Sequence, residues 1–312
     1  MTSLHKYSPF VQLLICIGLY LLCTCVFYGI AMFSVLPHVY GITAETFAKG
    51  DFSDPHLLRV MKIFQFGYSI CSFLIPALVF FALWHKKTFR YAGLGGRLHG
   101  GWALAGIVLL IVSLPAVGLL SDLNKLIPFG EDVRALQQRA EDITKAMLNM
   151  PDGGSLWFDL LLIAIVPAIA EEFFFRGALQ RIFIRLTRHA WIGIGITAIF
   201  FSLVHGEMLG FFPRVALGLI LGLVYHFSGN LWYAVIVHFF NNGFQVVLVY
   251  LFQHHYITMD VSKDTPTPVA LGIVSLLAAI GLFLVYKNKV PVNPDRRMWM
   301  PLTNEAADKT IS

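Results

Sequence analysis

The sequence predicts an all-α protein, a polytopic transmembrane helix bundle of about eight spans. Three observations carry that expectation. Of the 312 residues, 57% are hydrophobic. Only 13% are charged, against roughly 25% in soluble domains. The apolar residues also gather in unbroken runs close to the roughly 20 residues that a bilayer core requires of a helix. A water-soluble chain of this size needs more charge to cover its surface. The composition excludes a disordered chain, a nucleic-acid module and a disulfide-built secreted domain. Lipid cannot satisfy backbone polar groups, and these runs are too long for barrel strands, so the spans are helical.

The runs fall at about 9–35, 61–84, 101–121, 156–182, 189–208, 210–227, 230–252 and 267–286. The first is longer than a signal-peptide core and lacks a small-residue cleavage site, so it reads as a retained span. The longest polar stretch runs from Leu123 to Met150. Within it Val133, Leu136, Ile143 and Met147 recur at helical spacing. That pattern fits an amphipathic helix on the outer leaflet, or a solvated helix packed on the span ends. Pro151-Asp152-Gly153-Gly154 is a turn that starts the fourth span. Almost nothing separates the fifth span from the sixth. Gly218 and Gly222, four apart in the sixth, allow close helix approach, within the chain or at a dimer seam. These spans form one domain over 1–290, with a core region of motifs at about 156–250. The remaining 291–312 read as a mobile, polar cytoplasmic tail.

The net charge of +5 does not point to nucleic acid, because Lys and Arg sit in short clusters between apolar runs. Lys86, Lys87, Arg90 and Arg97 form one cluster without an acid, and Arg181, Arg185 and Arg188 a second. Lys287, Lys289, Arg296 and Arg297 stand against the single acid Asp295. In an eight-span chain all three lie on one side, which the positive-inside rule makes cytoplasmic. The opposite loops mix signs, with Glu45, Lys49, Asp51 and Asp54 in the first and Asp260, Lys263 and Asp264 in the last. Both termini are therefore expected inside. Cys16, Cys23, Cys25 and Cys71 lie in apolar runs and read as unpaired small hydrophobes.

Ionisable residues inside apolar runs are the informative ones, since each costs roughly 2.5–3.5 kcal/mol at a span centre. Glu171 and Glu172 adjoin near the middle of the fourth span. Neighbouring helical residues point about 100° apart, so the two cannot share one role. Glu172 and Arg176 are four apart, in the favourable acid-first order for an ion pair. Glu171 is left facing elsewhere without a local partner. A carboxylate held in a low-dielectric cavity gains proton affinity and can act as a general base. His205 near the end of the fifth span reads alone as a packing residue, and Glu207 as a residue of the outer interface. His238 and Asn242 in the seventh span share one face, with Asn241 turned away. Together they offer donors to a developing oxyanion, or an interhelical hydrogen-bond pair. By rise per residue, His205 should lie roughly 10 Å nearer the outer side than Glu171 and the His238/Asn242 pair. Arg214 acquires no role from the sequence.

The patterns Glu-Glu-x-x-x-Arg, Phe-x-x-x-His and His-x-x-x-Asn follow one another on successive predicted helices. Here they are Glu171-Glu172…Arg176, Phe201…His205 and His238…Asn242, and the first ends in Phe175-Arg176-Gly177. In that order they resemble the CAAX-processing and bacteriocin-immunity (abortive-infection-like) family of intramembrane proteases. The resemblance implies a glutamate-dependent endopeptidase of the kind that processes CAAX prenyl proteins. It implies that Glu171 activates water with His205 assisting, that His238 and Asn242 stabilise the oxyanion, and that Glu172 and Arg176 hold the site's shape. It also implies a peptide or membrane-protein substrate, no cofactor, and residence in a bacterial cytoplasmic (inner) membrane. Gly206-Glu207 follows His205 where many bacterial members carry a polar residue such as Asn a few positions on.

Two alternatives stay open. Glu171, His205 and His238 would suffice as a three-ligand zinc site with an open position. The other alternative is a chain that keeps the fold as a non-catalytic immunity or regulatory partner. No Gly-x-Ser-x-Gly elbow, no His-Glu-x-x-His zinc motif and no paired motifs of intramembrane aspartyl proteases are present. A carrier is disfavoured because the polar residues crowd the fourth, fifth and seventh spans instead of repeating in two halves. The substrate and the oligomeric state are not written in the sequence.

Overall fold

Four of the long helices begin at a side chain that caps them, Ser8, Asp54, Asp152 and Asn230. The computed structural model describes residues 4–49, 54–84, 88–258 and 265–293. Lys86, Lys87, Asp51, Asp260, Lys263, Asp264, Asp295, Arg296, Arg297 and the predicted tail from 294 onward lie outside the described residues. Helix α1 (Pro9–Val39) starts at Ser8, whose hydroxyl accepts from Val11 N, with Pro9 in the first turn. Helix α2 (Pro55–Trp84) repeats the device, Asp54 accepting from His56 N at 2.8 Å ahead of Pro55. Helix α3 spans Gly100–Lys125 and α4 Glu131–Met147. Helix α5 runs without a break from Gly153 to Thr187, capped by Asp152 on Ser155 N. Helices α6 (Ala190–Val204), α7 (Phe211–Ser228), α8 (Leu231–Gln253) and α9 (Val269–Lys289) complete the set. Among the described residues there is no strand.

Prolines shape three of these helices in one way. A proline has no N–H to return to the preceding turn, and its ring crowds that turn's carbonyl. Pro37, Pro76 and Pro167 each follow a π-helical stretch, at Ala31–Val35, Ile70–Leu74 and Leu160–Ile165. The wider ladder absorbs the misfit without exposing carbonyls. Pro115 in α3 is handled from outside. Ser275 Oγ on α9 accepts from Ala116 N at 3.0 Å and donates to Val112 O at 2.5 Å, covering the gap. A fourth π stretch, Phe173–Gln180, has no proline, and all eight of its residues are buried.

Six helices are long and apolar enough to cross a membrane: α1, α2, α3, α7 (extended to Met208), α8 and α9. The six match six of the predicted runs. The two others differ in character. Helix α5 is the axis of the bundle, buried almost continuously from Leu179 back to Ala168 and carrying Asp159, Glu171, Glu172, Arg176 and Arg181. Helix α6 has fifteen residues, about 22 Å of rise against a hydrocarbon core of about 30 Å. It stops short at Val204, and this early end sets the depth of His205.

Helix α5 is packed on by α1, α2, α6 and α8, while α3 pairs with α9 and α7. The Gly218 and Gly222 pair packs within the chain. Gly218 lies close against Ala198 of α6, and the carbonyls of both glycines accept from α5, from Arg176 Nη2 at 3.1 Å and Gln180 Nε2 at 2.9 Å. Cys16, Cys23, Cys25 and Cys71 are all free.

Candidate active site

The buried ion pair expected from Glu-Glu-x-x-x-Arg is present. Arg176 Nη1 donates to Glu172 Oε1 at 2.6 Å, and neither residue has solvent exposure. Removing one partner of such a pair costs about 3–5 kcal/mol, because the other charge is stranded. The guanidinium also lies 4.7 Å over the Phe201 ring, a cation–π contact in a desolvated setting. That ring is the hub of the site. It meets the imidazoles of His205 and His238 edge-on at 4.8 and 5.9 Å, and Phe175 at 5.1 Å. The Phe of Phe-x-x-x-His is therefore a spacer that holds three polar side chains from three helices at fixed separations.

Glu172 Oε1 has a second neighbour. His238 Nδ1 lies 2.8 Å from it. Glu172 is paired to arginine and accepts, so His238 Nδ1 carries the hydrogen. The other ring nitrogen, Nε2, then faces Glu171, 4.0 Å from its Oε2. His205 is oriented by similar logic. Its Nδ1 lies 2.6 Å from the carbonyl of Phe201, which can only accept, so Nε2 is turned outward, 3.9 Å from the same Glu171 Oε2. Both imidazoles thus aim Nε2 at one carboxylate oxygen. That oxygen is buried and has no hydrogen-bond partner among the described residues.

The expected gap of roughly 10 Å between His205 and the others is corrected by the fold. Helix α6 ends at Val204, His205 is its C-cap, and Gly206 reverses the chain at φ +72°. The imidazole bonds back one turn and reaches inward. A rise count that continues the helix through His205 carries the residue too far. Glu207 is likewise not simply interfacial. It lines the same cavity as Glu171, His205 and Asn242, and Arg214 pairs with its carboxylate and donates to its carbonyl at 2.9 Å. This gives Arg214 the partner that the sequence left unassigned.

Asn242 reaches the cavity, but its amide is partly engaged. Nδ2 donates to Ile163 O at 3.2 Å, and Oδ1 accepts from Asn241 Nδ2 at 3.0 Å. Asn241 is therefore coupled to its neighbour instead of standing apart. The Ile163 carbonyl belongs to the π stretch ahead of Pro167, so the proline of α5 helps position Asn242. One amide hydrogen of Asn242 remains for another acceptor.

The cavity measures about 530 Å³. Sequence reasoning missed half its walls. From α1 and α2 come Tyr28, Phe64, Gln65 and Tyr68, and from α4 come Ala140, Ile143, Thr144 and Met147. Ile143 and Met147 belong to the predicted amphipathic stripe, whereas Leu136 of that stripe is exposed. The apolar face of α4 thus roofs the cavity, closer to the helix packed on span ends than to one lying free on lipid. A buried pair was missed as well. Lys62 of α2 donates to both oxygens of Asp159 on α5, at 2.7 and 2.9 Å. Its signal was available, since Asp159 stands in an apolar run as Glu171 does.

Among the described residues no three His, Cys, Asp or Glu side chains are set as a metal site. Residues 153–244 match the family model described as type II CAAX prenyl endopeptidase Rce1-like. That segment contains Glu171, Glu172, Arg176, Phe201, His205, His238 and Asn242, so the match covers all three motifs, while the walls from α1, α2 and α4 lie outside it. No curated protein and no solved structure matches the chain.

Proposed function

We propose that this chain is a membrane-embedded endopeptidase that hydrolyses a peptide bond with water activated by Glu171. The observation that carries the reading is the convergence of His205 Nε2 and His238 Nε2 on Glu171 Oε2, at 3.9 and 4.0 Å, where Glu171 and His205 line the cavity and His238 lies buried behind them. Two polar atoms at this separation admit a shared water about 2.8 Å from each, with an angle near 90°. Glu171 takes the proton of that water as it attacks the scissile carbonyl, and His205 shares the proton load. The carbonyl carbon gains the hydroxyl oxygen and the C=O electrons move to oxygen. Collapse of the tetrahedral species expels the amine, which receives the proton that Glu171 accepted.

His238 and Asn242 receive the oxyanion in this reading. Since Nδ1–H of His238 is committed to Glu172, its Nε2 donates only as an imidazolium. Asn242 adds the amide hydrogen that Ile163 leaves. Glu172 and Arg176 are positioning residues. No cofactor is required by this chemistry, the substrate is a peptide or a membrane protein, and an eight-span chain puts both termini in the cytoplasm of a bacterial host.

The test compares peptide C-termini in membranes of cells carrying the wild type, Glu171→Ala and a deletion. We expect Glu171→Ala to accumulate and insert normally while reproducing the deletion. A Glu171→Ala protein with full function and unchanged peptides would overturn the reading in favour of a non-catalytic immunity or regulatory partner.

A further inference from the structure

A second cavity, of about 350 Å³, lies away from the site, among Arg90, Arg97, His99, Asn230 and Asn293. Its position is fixed by helix ends. The start of α3 at Gly100, the end of α7 at Ser228, the start of α8 at Leu231 and the end of α9 at Lys289 surround it. Four apolar helices that end together mark the boundary between hydrocarbon and headgroups. No carboxylate belongs to its lining among the described residues. The last turn of α9 adds Lys287 and Lys289 at the same end.

The cavity is held in shape by buried polar side chains. Asn230, 1% exposed, donates through Nδ2 to Gly96 O and Arg97 O, both at 3.3 Å. Its Oδ1 meanwhile caps α8 through Trp232 N. Asn293, 7% exposed, donates to Gly229 O at 3.1 Å, and its backbone N donates to Ser228 O at 2.8 Å. Leu231 N donates to Gly93 O, and Tyr233 Oη accepts from His99 N. Three stretches far apart in sequence are thereby clamped around a hollow whose charged lining groups, among the described residues, are cationic. Cations that merely satisfied the positive-inside rule would need no such clamp. Arginine forks match the paired oxygens of a phosphate, and basic pockets between helix ends at a membrane surface suit anionic headgroups.

We propose that this cavity is a binding site for a phosphate-type oxyanion, supplied by the headgroup of an anionic phospholipid. The site is independent of the proteolytic reading, and its test does not depend on activity. The full-length protein in neutral detergent is titrated with phosphatidylglycerol, phosphatidylcholine or inorganic phosphate while its thermal unfolding is followed. We expect saturable stabilisation by phosphatidylglycerol, weaker binding of inorganic phosphate, and none of phosphatidylcholine. Arg97 is exposed, so Arg97→Gln should fold, and its apparent affinity should fall about tenfold or more, the loss of one charge-assisted hydrogen bond. Lys145→Gln, on α4 and outside the cavity, should keep the full response. Inorganic phosphate as potent as the lipid would overturn the lipid source. An unchanged response in Arg97→Gln, an equal loss in Lys145→Gln, or equal stabilisation by phosphatidylcholine would overturn the site.

Discussion

His238 Nδ1 sits 2.8 Å from Glu172 Oε1, and this bond decides which nitrogen of the ring faces Glu171. Glu172 is thus bound twice, by Arg176 and by His238, and both links are fully buried. Glu172→Gln keeps the shape but removes the charge that both partners share. We expect destabilisation of about 3–5 kcal/mol from the stranded guanidinium, read as a lower unfolding temperature in detergent. Peptide cleavage at a temperature where the variant is still folded should fall as well, since the bond that turns His238 Nε2 toward Glu171 loses its charged acceptor. An unchanged unfolding temperature would show that the pair carries no such load.

His205 should behave differently. Its side chain is 31% exposed, and its hydrogen bond in the structure is to the Phe201 carbonyl. His205→Gln therefore leaves folding nearly untouched. Loss of a proton-sharing group at Glu171 should lower the cleavage rate about 10²–10⁴-fold, with little change in KM. A variant that loses stability and rate together would mark His205 as a packing residue instead.

The contrast between these histidines shows what the sequence could reveal. The Glu172–Arg176 pair was legible because both ends lie on one helix, four residues apart, where spacing fixes geometry. The common face of His238 and Asn242 was legible for the same reason. The depth of His205 was not, because it depends on where α6 stops, and the predicted run continues to 208, past the Gly206 that turns the chain. Tyr28, Tyr68 and the underside of α4 reach the cavity only through tertiary packing, which no local period records. The π stretches before Pro37, Pro76 and Pro167 are an intermediate case, since the prolines announce a misfit but not how it is absorbed. Six of eight predicted runs became helices of spanning length. Of the other two, α6 has only fifteen residues, and α5, long enough but not among those six, is the buried axis of the bundle.

The close approach of α5 and α6 offers a stability test free of catalysis. A Cβ at Gly193 would come within 2.6–2.7 Å of the backbone N and Cα of Ile184, atoms that cannot swing aside. Gly193→Ala should cost about 1–3 kcal/mol through overpacking. At Gly18 of α1 an added Cβ meets nothing within 4 Å, so Gly18→Ala should lose no stability. Thermal unfolding of the two variants side by side checks the helix packing that delivers Phe201 and His205 to the cavity. Equal behaviour of the pair would contradict it.

Metal dependence is the remaining question that a simple measurement decides. Tetrahedral zinc, with bonds of about 2.0–2.1 Å to nitrogen and oxygen, brings its ligand atoms to about 3.3 Å from one another. Glu171 Oε2 stands 3.9 and 4.0 Å from the two imidazole nitrogens, the wider spacing of groups bridged by water. The orienting bonds from His205 to Phe201 and from His238 to Glu172 would serve either case, since a zinc-bound histidine also anchors its other nitrogen. We expect purified protein to keep its cleavage rate after prolonged treatment with a strong chelator, and added zinc to leave that rate unchanged or lower it by occupying the water's place. Activity that vanishes with the chelator and returns with stoichiometric zinc would assign Glu171, His205 and His238 as ligands and replace the glutamate-activated water with a metal-bound one.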